Sequence, residues 1–339
     1  MVSNVPQRVA ALAGEIHAIA RERTGSVQTI SRNMKLLSIN ASIEAAHAGD
    51  KGLGFGVVAE EINRISKGID GEVEQLGQQL GDRSQRLVEL GGSLVAQVFG
   101  TRLVDLAHNL IEIMDRNLYE RTCDVRWWAT EAAVIRACTS PGLASAEACA
   151  SRLAVILRSY TVYADILVLD RRGVVLASGR NRACIGANLS SRKWFAAALA
   201  TTNGDEFSVD DIAREAVVSN NMVATYATAV RCDGASDGQV IGVIAVLFDW
   251  QVQAQTVVDG VRLDAAERAR ARCLILDRQH QVLAASDRKG MLSEQIPLPG
   301  AAERTGWIAQ DGRILAWAQT PGFETYRGLG WYGAIELRP

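Results

Sequence analysis

The chain has little of what metal, haem or thiol chemistry requires. Its six cysteines (Cys123, Cys138, Cys149, Cys184, Cys232 and Cys273) include no Cys-x-x-Cys pair, and its four histidines (His17, His47, His108 and His280) are scattered. Zinc coordination, haem attachment and thioredoxin-like exchange all need closer spacing. The expected state is therefore reduced, mostly buried thiols, with no cofactor and no metal. Long apolar runs are missing too. The longest uninterrupted one is Val240–Phe248, well short of the ~20 residues that span a bilayer. The opening MVSNVPQRVAALAGEI lacks a basic start followed by an apolar core, which argues against a secretion leader. No membrane association and a cytoplasmic location are expected. An excess of positive charge is also absent: the net charge is −2, and no basic stripe suggests nucleic acid.

What is present is 339 residues, 48% hydrophobic and 22% charged, enough for two or three domains with cores of their own. Residues 7–47 follow a helical period. Val9, Leu12, Ile16, Ile19, Ile30, Leu37 and Glu44 fall on the alternating three-and-four spacing of a coiled-coil seam. Arg23, Ser26, Asn33 and Asn40 share that seam and weaken it, so partner helices, and hence a homodimer, are expected. Ala48-Gly49-Asp50-Lys51-Gly52-Leu53-Gly54 breaks the period with three glycines, as a tight reversal would. The apolar face resumes at Val58, Ile62, Ile65, Ile69, Val73 and Leu76 and continues to Leu94. Two antiparallel helices make an αα-hairpin, and two copies would make a four-helix bundle. GDKGLGFG is glycine-rich, but it joins helix to helix rather than strand to helix, so it is not a nucleotide loop.

The stretch LLSINASIEAAHAGDKGLGFGVVAEEINRIS, Leu36–Ser66, is similar to the signalling tip of methyl-accepting chemotaxis receptors. The resemblance rests on Asn40-Ala41, Ile43-Glu44-Ala45-Ala46, Gly49, Gly54-Phe55 and Val57-Val58-Ala59. It implies that Lys35, Asn40, Glu44, His47, Gly49 and Phe55 lie on a surface that meets a chemotaxis coupling protein and a histidine kinase. The chain departs from the family at Met34-Lys35, where Thr-Asn is usual, at His47, where Arg is usual, and at Arg32, where an apolar contact is usual. A generic dimerising coiled coil is the plainer alternative for this segment.

Gly91-Gly92 reads as an interruption and a hinge. Helical character then continues through Leu94, Val98, Leu103, Leu106, Leu110, Ile113 and Leu118 to about Arg136. Beyond residue 160 short β runs bounded by turns take over. Ile166–Ser178 reappears as Cys273–Ala285, with Asp170 matching Asp277 and Val175-Leu176-Ala177 matching Val282-Leu283-Ala284. Two copies of one strand–turn–strand unit, about a hundred residues apart, point to two lobes of one α+β type. Further strands are expected at Val223–Arg231, Val240–Phe248, Gly306–Ala309, Arg313–Gln319 and Leu329–Glu336.

With the spine segment DRNLYERTCDVRWWATEAAV, the hairpin YADILVLDRRGVVLAS and the helix NLSSRKWFAAAL, residues 97–339 resemble the double Cache sensor. The implied fold is an all-α coiled-coil hairpin followed by an α+β domain with two PAS-like antiparallel-sheet lobes on a long helix. The expected divisions are 1–92 for the hairpin with its turn at 48–54, 93–138 for the spine, 139–250 for the first lobe and 251–339 for the second.

By that resemblance the first lobe holds the ligand, and Arg192 and Trp194 match the family's Arg-x-Trp pocket motif, with Phe195 beside them. A guanidinium grips a carboxylate through paired hydrogen bonds, and an indole gives a flat wall. A salt bridge for Arg192 and core packing for Trp194 remain open. Tyr163, Asp210, Tyr226 and Asp249 are further ligand candidates. The acid that amino-acid-binding members place five positions after Gly-Val is Leu247 here, so the expected ligand is a carboxylate, purine-like or other oxygen-rich metabolite. Trp307, Trp317, Tyr326, Trp331 and Tyr332 read as core packing. Without a nucleophile–base pair, metal cluster or phosphate loop, no catalysis is expected. The expected function is a soluble chemoreceptor-like transducer, and the alternative is a ligand-dependent adaptor acting on a non-chemotaxis partner.

Overall fold

The computed structural model describes residues 5–299, 303–310 and 312–338; Met1–Asn4, the start of the segment read above for a leader, lie outside them. The chain divides into two compact units, Met1–Phe99 and Gly100–Pro339.

The first unit is the hairpin. Helix α1 (Val5–His47) turns through a 3-10 segment at Gly49–Gly52 into helix α2 (Leu53–Trp128), which has residues in both units. Small residues line the contact between the arms. Ala13, Ser31, Ser38, Ala59 and Ser66 are buried, and serine hydroxyls donate across it: Ser31 Oγ to the Ser66 carbonyl at 3.0 Å, Ser38 Oγ to Ala59 at 2.7 Å and Ser84 Oγ to Ala13 at 2.9 Å. Such bonds hold two backbones close. The seam residues Leu12, Ile19, Ile30 and Leu37 are turned outward, each more than half exposed.

The expected interruption at Gly91-Gly92 is not there. The helix runs through both residues, and a Cβ at Gly91 would stand 2.9 Å from Val9 Cγ1. Gly91 gives the other arm room; it does not break the helix. The intrinsic penalty of about 1 kcal/mol per glycine is small against a 76-residue element. The same helix contains an 18-residue stretch of mean hydropathy 1.2, long and apolar enough to cross a membrane by length and composition alone.

The helix also ends sooner than the 138 expected for the spine, at Trp128, with α3 (Ala132–Thr139) following. The Thr130 hydroxyl donates to the Trp127 carbonyl at 2.8 Å and the Thr130 amide bonds the same oxygen at 3.0 Å. That tightens the last turn and satisfies a carbonyl the helix would otherwise leave bare. Glu131 then leaves in extended conformation and is held by Arg152 at 3.1 and 3.2 Å.

In the second unit α4 (Leu143–Ser159) precedes two five-stranded antiparallel sheets. The first comprises β1 (Tyr163–Asp170), β2 (Val175–Ser178), β3 (Ser208–Glu215), β4 (Asn221–Arg231) and β5 (Val240–Asp249), in the order β2-β1-β5-β4-β3. Helix α5 (Lys193–Leu199) lies between β2 and β3 in the chain. After α6 (Trp250–Asp259) and α7 (Ala265–Arg268), the second sheet repeats the order as β7-β6-β10-β9-β8, with β6 (Ala271–Leu276), β7 (Val282–Ala285), β8 (Thr305–Gln310), β9 (Arg313–Gln319) and β10 (Tyr332–Leu337).

The internal repeat is therefore structural. Asp170 accepts the amides of Arg172 and Val174, both at 2.9 Å. Asp277 accepts those of Gln279 and Gln281 at 2.7 and 2.8 Å. Each turn also holds one left-handed residue three positions after the aspartate, Gly173 at φ +83 and His280 at φ +64.

One core joins α2 to the inner faces of both sheets: Leu103, Leu110, Met114 and Leu118 meet Ile166, Val246, Phe248, Ile275 and Ile335. The outer face of the first sheet packs under α5 with Leu167, Leu169, Ala227 and Leu247. The outer face of the second gathers Leu274, Leu276, Trp317 and Tyr332. The second-lobe aromatics split between faces: Tyr326 and Trp331 join the inner core, with Trp331 edge-on to Trp250 at 5.0 Å.

Candidate functional site

Asp165 organises the approach to α5. It is fully buried, and its carboxylate accepts the Ile166 amide at 2.7 Å, the Ser178 hydroxyl at 2.6 Å and the amides of Arg180 and Asn181 at 3.0 Å each. A carboxylate with four donors is satisfied where it stands, and it pins the segment leaving β2. That segment passes through a 3-10 turn at Arg182–Cys184 and reaches α5 at Arg192.

Arg192 caps α5 in extended conformation. Its Nη2 donates to Glu215 Oε1, at the end of β3, at 2.8 Å, while Nε has no partner. The arginine side chain is 40% exposed and that of Glu215 is 9%. Trp194 and Phe195 point the other way, 4% exposed and edge-on at 6.2 Å, into the apolar layer over the sheet. The structure thus brings Arg192, Trp194 and Phe195 together on the outer face of the first lobe. Asp210 lies on β3 opposite Thr225, just before the bulge between Asp210 and Ala213. Asp249 ends β5 and precedes α6 without a side-chain capping bond.

Tyr163 and Tyr226 sit on the opposite face, in the core against α2. Tyr163 donates its hydroxyl to the Asp124 carboxylate on α2. Arg121, 3% exposed, places its guanidinium 5.1 Å from the Tyr163 ring and 5.6 Å from that of Phe248, with Nε 3.5 Å from Asp124. Burial pushes the Asp124 carboxyl above its ordinary range, while the Tyr163 hydrogen bond and the Arg121 charge pull it back. Tyr226 approaches Tyr326 of the second lobe, hydroxyl to hydroxyl at 3.5 Å. Lower on α2, Asp115 accepts from the Thr320 hydroxyl and the Gly322 amide, and burial raises its carboxyl likewise. These buried charges tie α2 to both lobes.

At the tip, Lys35, Asn40, Glu44 and His47 are exposed along the end of α1. Gly49 takes a left-handed conformation (φ +56) in the reversal, and Phe55 is 72% exposed on the first turn of α2. Arg32 is also exposed.

Sequence reasoning missed Glu215, Asp165, Arg121, Asp124 and Asp115. Arg121 had a readable signal: it falls in the spacing of Leu110, Met114, Leu118, Val125 and Trp128, where an apolar residue belongs.

Residues 1–104 match the methyl-accepting chemotaxis protein (MCP) signalling domain model. Methyl-accepting chemotaxis protein HlyB of Vibrio cholerae is 37% identical over 91 residues, 26% of this chain and 16% of that protein, so the chain spans a small part of that relative. Among solved structures, the sensor domain of the Vibrio cholerae histidine kinase DctB superposes with a TM-score of 0.53 at 15% identity, covering 72% of this chain and 98% of that one. The ligand-binding domain of the Pseudomonas fluorescens chemoreceptor CtaA, in complex with L-serine, gives 0.50 at 15% identity, covering 71% and 98%. The rear unit has the fold of Cache-like sensor domains.

Proposed function

We propose that this chain, in which a methyl-accepting chemotaxis signalling domain is joined to a Cache-like sensor fold, is a non-catalytic, cytoplasmic, homodimeric transducer. It binds a small molecule in its first lobe and acts through the hairpin on a chemotaxis coupling protein and histidine kinase. The observation that carries the ligand-binding half is Arg192. Its guanidinium stands at the edge of a sealed aromatic layer, half engaged by Glu215, with Nε unpartnered. A ligand carboxylate enters by taking Arg192 from Glu215, so the ligand class is a carboxylate, purine-like or other oxygen-rich metabolite. Leu247, buried in the sheet, offers an α-amino group no counter-charge, which argues against free amino acids. Ligand binding shifts the protein's equilibrium only by the difference in these contacts between its states.

The cytoplasmic reading is supported by the charge and packing of α2 at the start of the second unit. Arg102 pairs with both oxygens of Glu267 on α7, and Leu103 is fully buried in the sensor core. Alkaline carbonate extraction of cell membranes tests it: recovery in the pellet overturns a soluble location.

A thermal-shift screen of the whole chain against organic acids, purines, amino acids and amines tests the ligand site, repeated with Arg192→Ala. A bound ligand stabilises according to its concentration over its Kd. The proposal expects a hit that disappears in Arg192→Ala; hits that survive the substitution place the site elsewhere. Exposed Arg32, Lys35 and His47 favour a second reading, an adaptor whose altered tip meets a different partner. Co-purification with the coupling protein, and ligand-dependent kinase autophosphorylation, decide between the two.

A further inference from the structure

A cleft of the first lobe lies near Thr201, the residue just after α5 whose carbonyl Arg231 engages. It has a volume of about 250 Å³ and is bounded by the last turn of α2, the loop before β3 and the β4–β5 connection. Two arginines face it. Arg231, at the end of β4, is 7% exposed. Its Nη1 donates to the Gly238 carbonyl at 2.9 Å, its Nη2 donates to the Thr201 carbonyl, and its Nε has no partner. Arg126 donates from Nε to the Thr122 carbonyl at 2.8 Å and from Nη1 to the Asp205 carbonyl at 3.4 Å, with its guanidinium over the Phe207 ring at 5.8 Å.

Every strong partner of these two cations is neutral. Among the described residues neither is in a salt bridge with a carboxylate. Of the nearby acids, Glu131 is engaged by Arg152 and Glu206 by the Thr202 amide and hydroxyl at 2.6 and 2.9 Å, with Arg231 close enough to help hold its carboxyl below the ordinary range; Asp205 lines the cleft itself. The C-terminus of α2 adds only about half a negative charge, and Glu206 and Asp205 do not reach either guanidinium within salt-bridge distance. A buried guanidinium with no counter-ion in contact is costly, and the cleft, whose wall includes Ala129, Ala229, Gly234 and Ala235 beside Asp205, leaves room for one.

We propose that this cleft binds a small oxyanion, a phosphate- or carboxylate-bearing molecule, between Arg126 and Arg231. The site is independent of Arg192. Guanidinium pairs bind both anions through charge-assisted hydrogen bonds, so the probes must separate them.

The test is the melting temperature of the full chain in potassium phosphate and in potassium succinate, each against potassium chloride at matched ionic strength to remove screening. Phosphate, succinate or both raise the melting temperature in a saturable way, and the identity of the active probe names the class. Arg126→Gln, which removes a partly exposed charge without emptying the core, weakens that response about tenfold or more. Ala235→Glu, which brings a carboxylate to the cleft, raises the melting temperature without added anion and abolishes the response. Arg192→Ala leaves the response intact, so this proposal and the α5 site stand or fall separately. No rise above chloride with either probe, or a rise unchanged in Arg126→Gln, overturns it.

Discussion

Replacing Tyr163 by Phe removes one oxygen from the middle of the sensor core, and its cost follows from what that oxygen does. The ring stays, so the edge contact with Trp128, the tilted contact with Tyr160 and the stacking of Arg121 are kept, and no apolar area is lost. What goes is the donor to Asp124, a carboxylate 7% exposed that then depends on Arg121 Nε at 3.5 Å. Hydrogen bonds to charged groups contribute about 1.5–3 kcal/mol, so this is the expected loss near neutral pH. For a unit the size of Gly100–Pro339 it corresponds to a fall of roughly 3–12 °C in Tm. The pH dependence has a definite sign. Burial raises the Asp124 carboxyl in the folded state, so the charged form is the disfavoured one, and the stability that protonation provides fades as pH rises through the folded pKa. The Tyr163 hydroxyl supports the charged form, so its removal is felt fully above that pKa and shrinks below it. Urea unfolding of both proteins at about pH 7.5 and about pH 4 measures this. A loss under about 0.5 kcal/mol near neutrality, or an equal loss at both pH values, refutes the assignment. An Asp124→Asn background provides the control, in which Tyr163→Phe costs about 1 kcal/mol or less.

Three further outcomes are expected. Gly92→Ala, with nothing within 4 Å of the added Cβ, stabilises the hairpin by about 0.5–1 kcal/mol, whereas Gly91→Ala meets Val9 and gains nothing; a thermal melt in which Gly92→Ala is destabilising would show that the helix bends there. Gly173→Ala costs about 2–4 kcal/mol in urea unfolding, because φ is +83 and the Cβ would stand 2.6–2.8 Å from Ser190. Glu267→Gln costs about 1–2 kcal/mol at neutral pH, discounted for the partial exposure of Arg102. The Arg102 hydrogen bond holds the Glu267 carboxyl below its ordinary range, so this contribution is present above the unfolded pKa and vanishes as pH falls through the folded one; a loss that persists at about pH 3 contradicts it.

The hairpin and the duplicated lobes were legible because periodicity and self-similarity are local properties. Asp170 and Asp277 matched in sequence because each takes the same two amides. Strand β3 was not legible: its register shifts between Asp210 and Ala213, and Ser-Val-Asp-Asp-Ile-Ala-Arg-Glu alternates on neither face for long. Nor was the end of α2, since no glycine or proline marks Trp128; a threonine hydroxyl and a distant arginine stop it. At the α5 site, Arg192, Trp194 and Phe195 were singled out by the resemblance to the double Cache sensor. Glu215 lies 23 residues from Arg192 and only the fold makes them neighbours. Tyr163 and Tyr226 were placed on the strands rightly, but a strand's two faces are told apart only by what covers each.

Where its arms meet, the hairpin buries Ala13, Ser31, Ser38, Ala59 and Ser66 and leaves most of its large apolar side chains outside, the reverse of a globular core. Serine hydroxyls fix how near the arms come, yet they contribute little apolar burial, and Leu12, Ile19, Ile30, Leu37 and Phe55 stay more than half exposed. In the proposed homodimer its folding free energy is not a property of one molecule but depends on how many copies share the solution, as with any fold completed by association. For that proposed transducer copy number acts as a threshold: dilute chains carry a folded rear unit and a frayed hairpin, and only above a certain concentration does the hairpin become rigid.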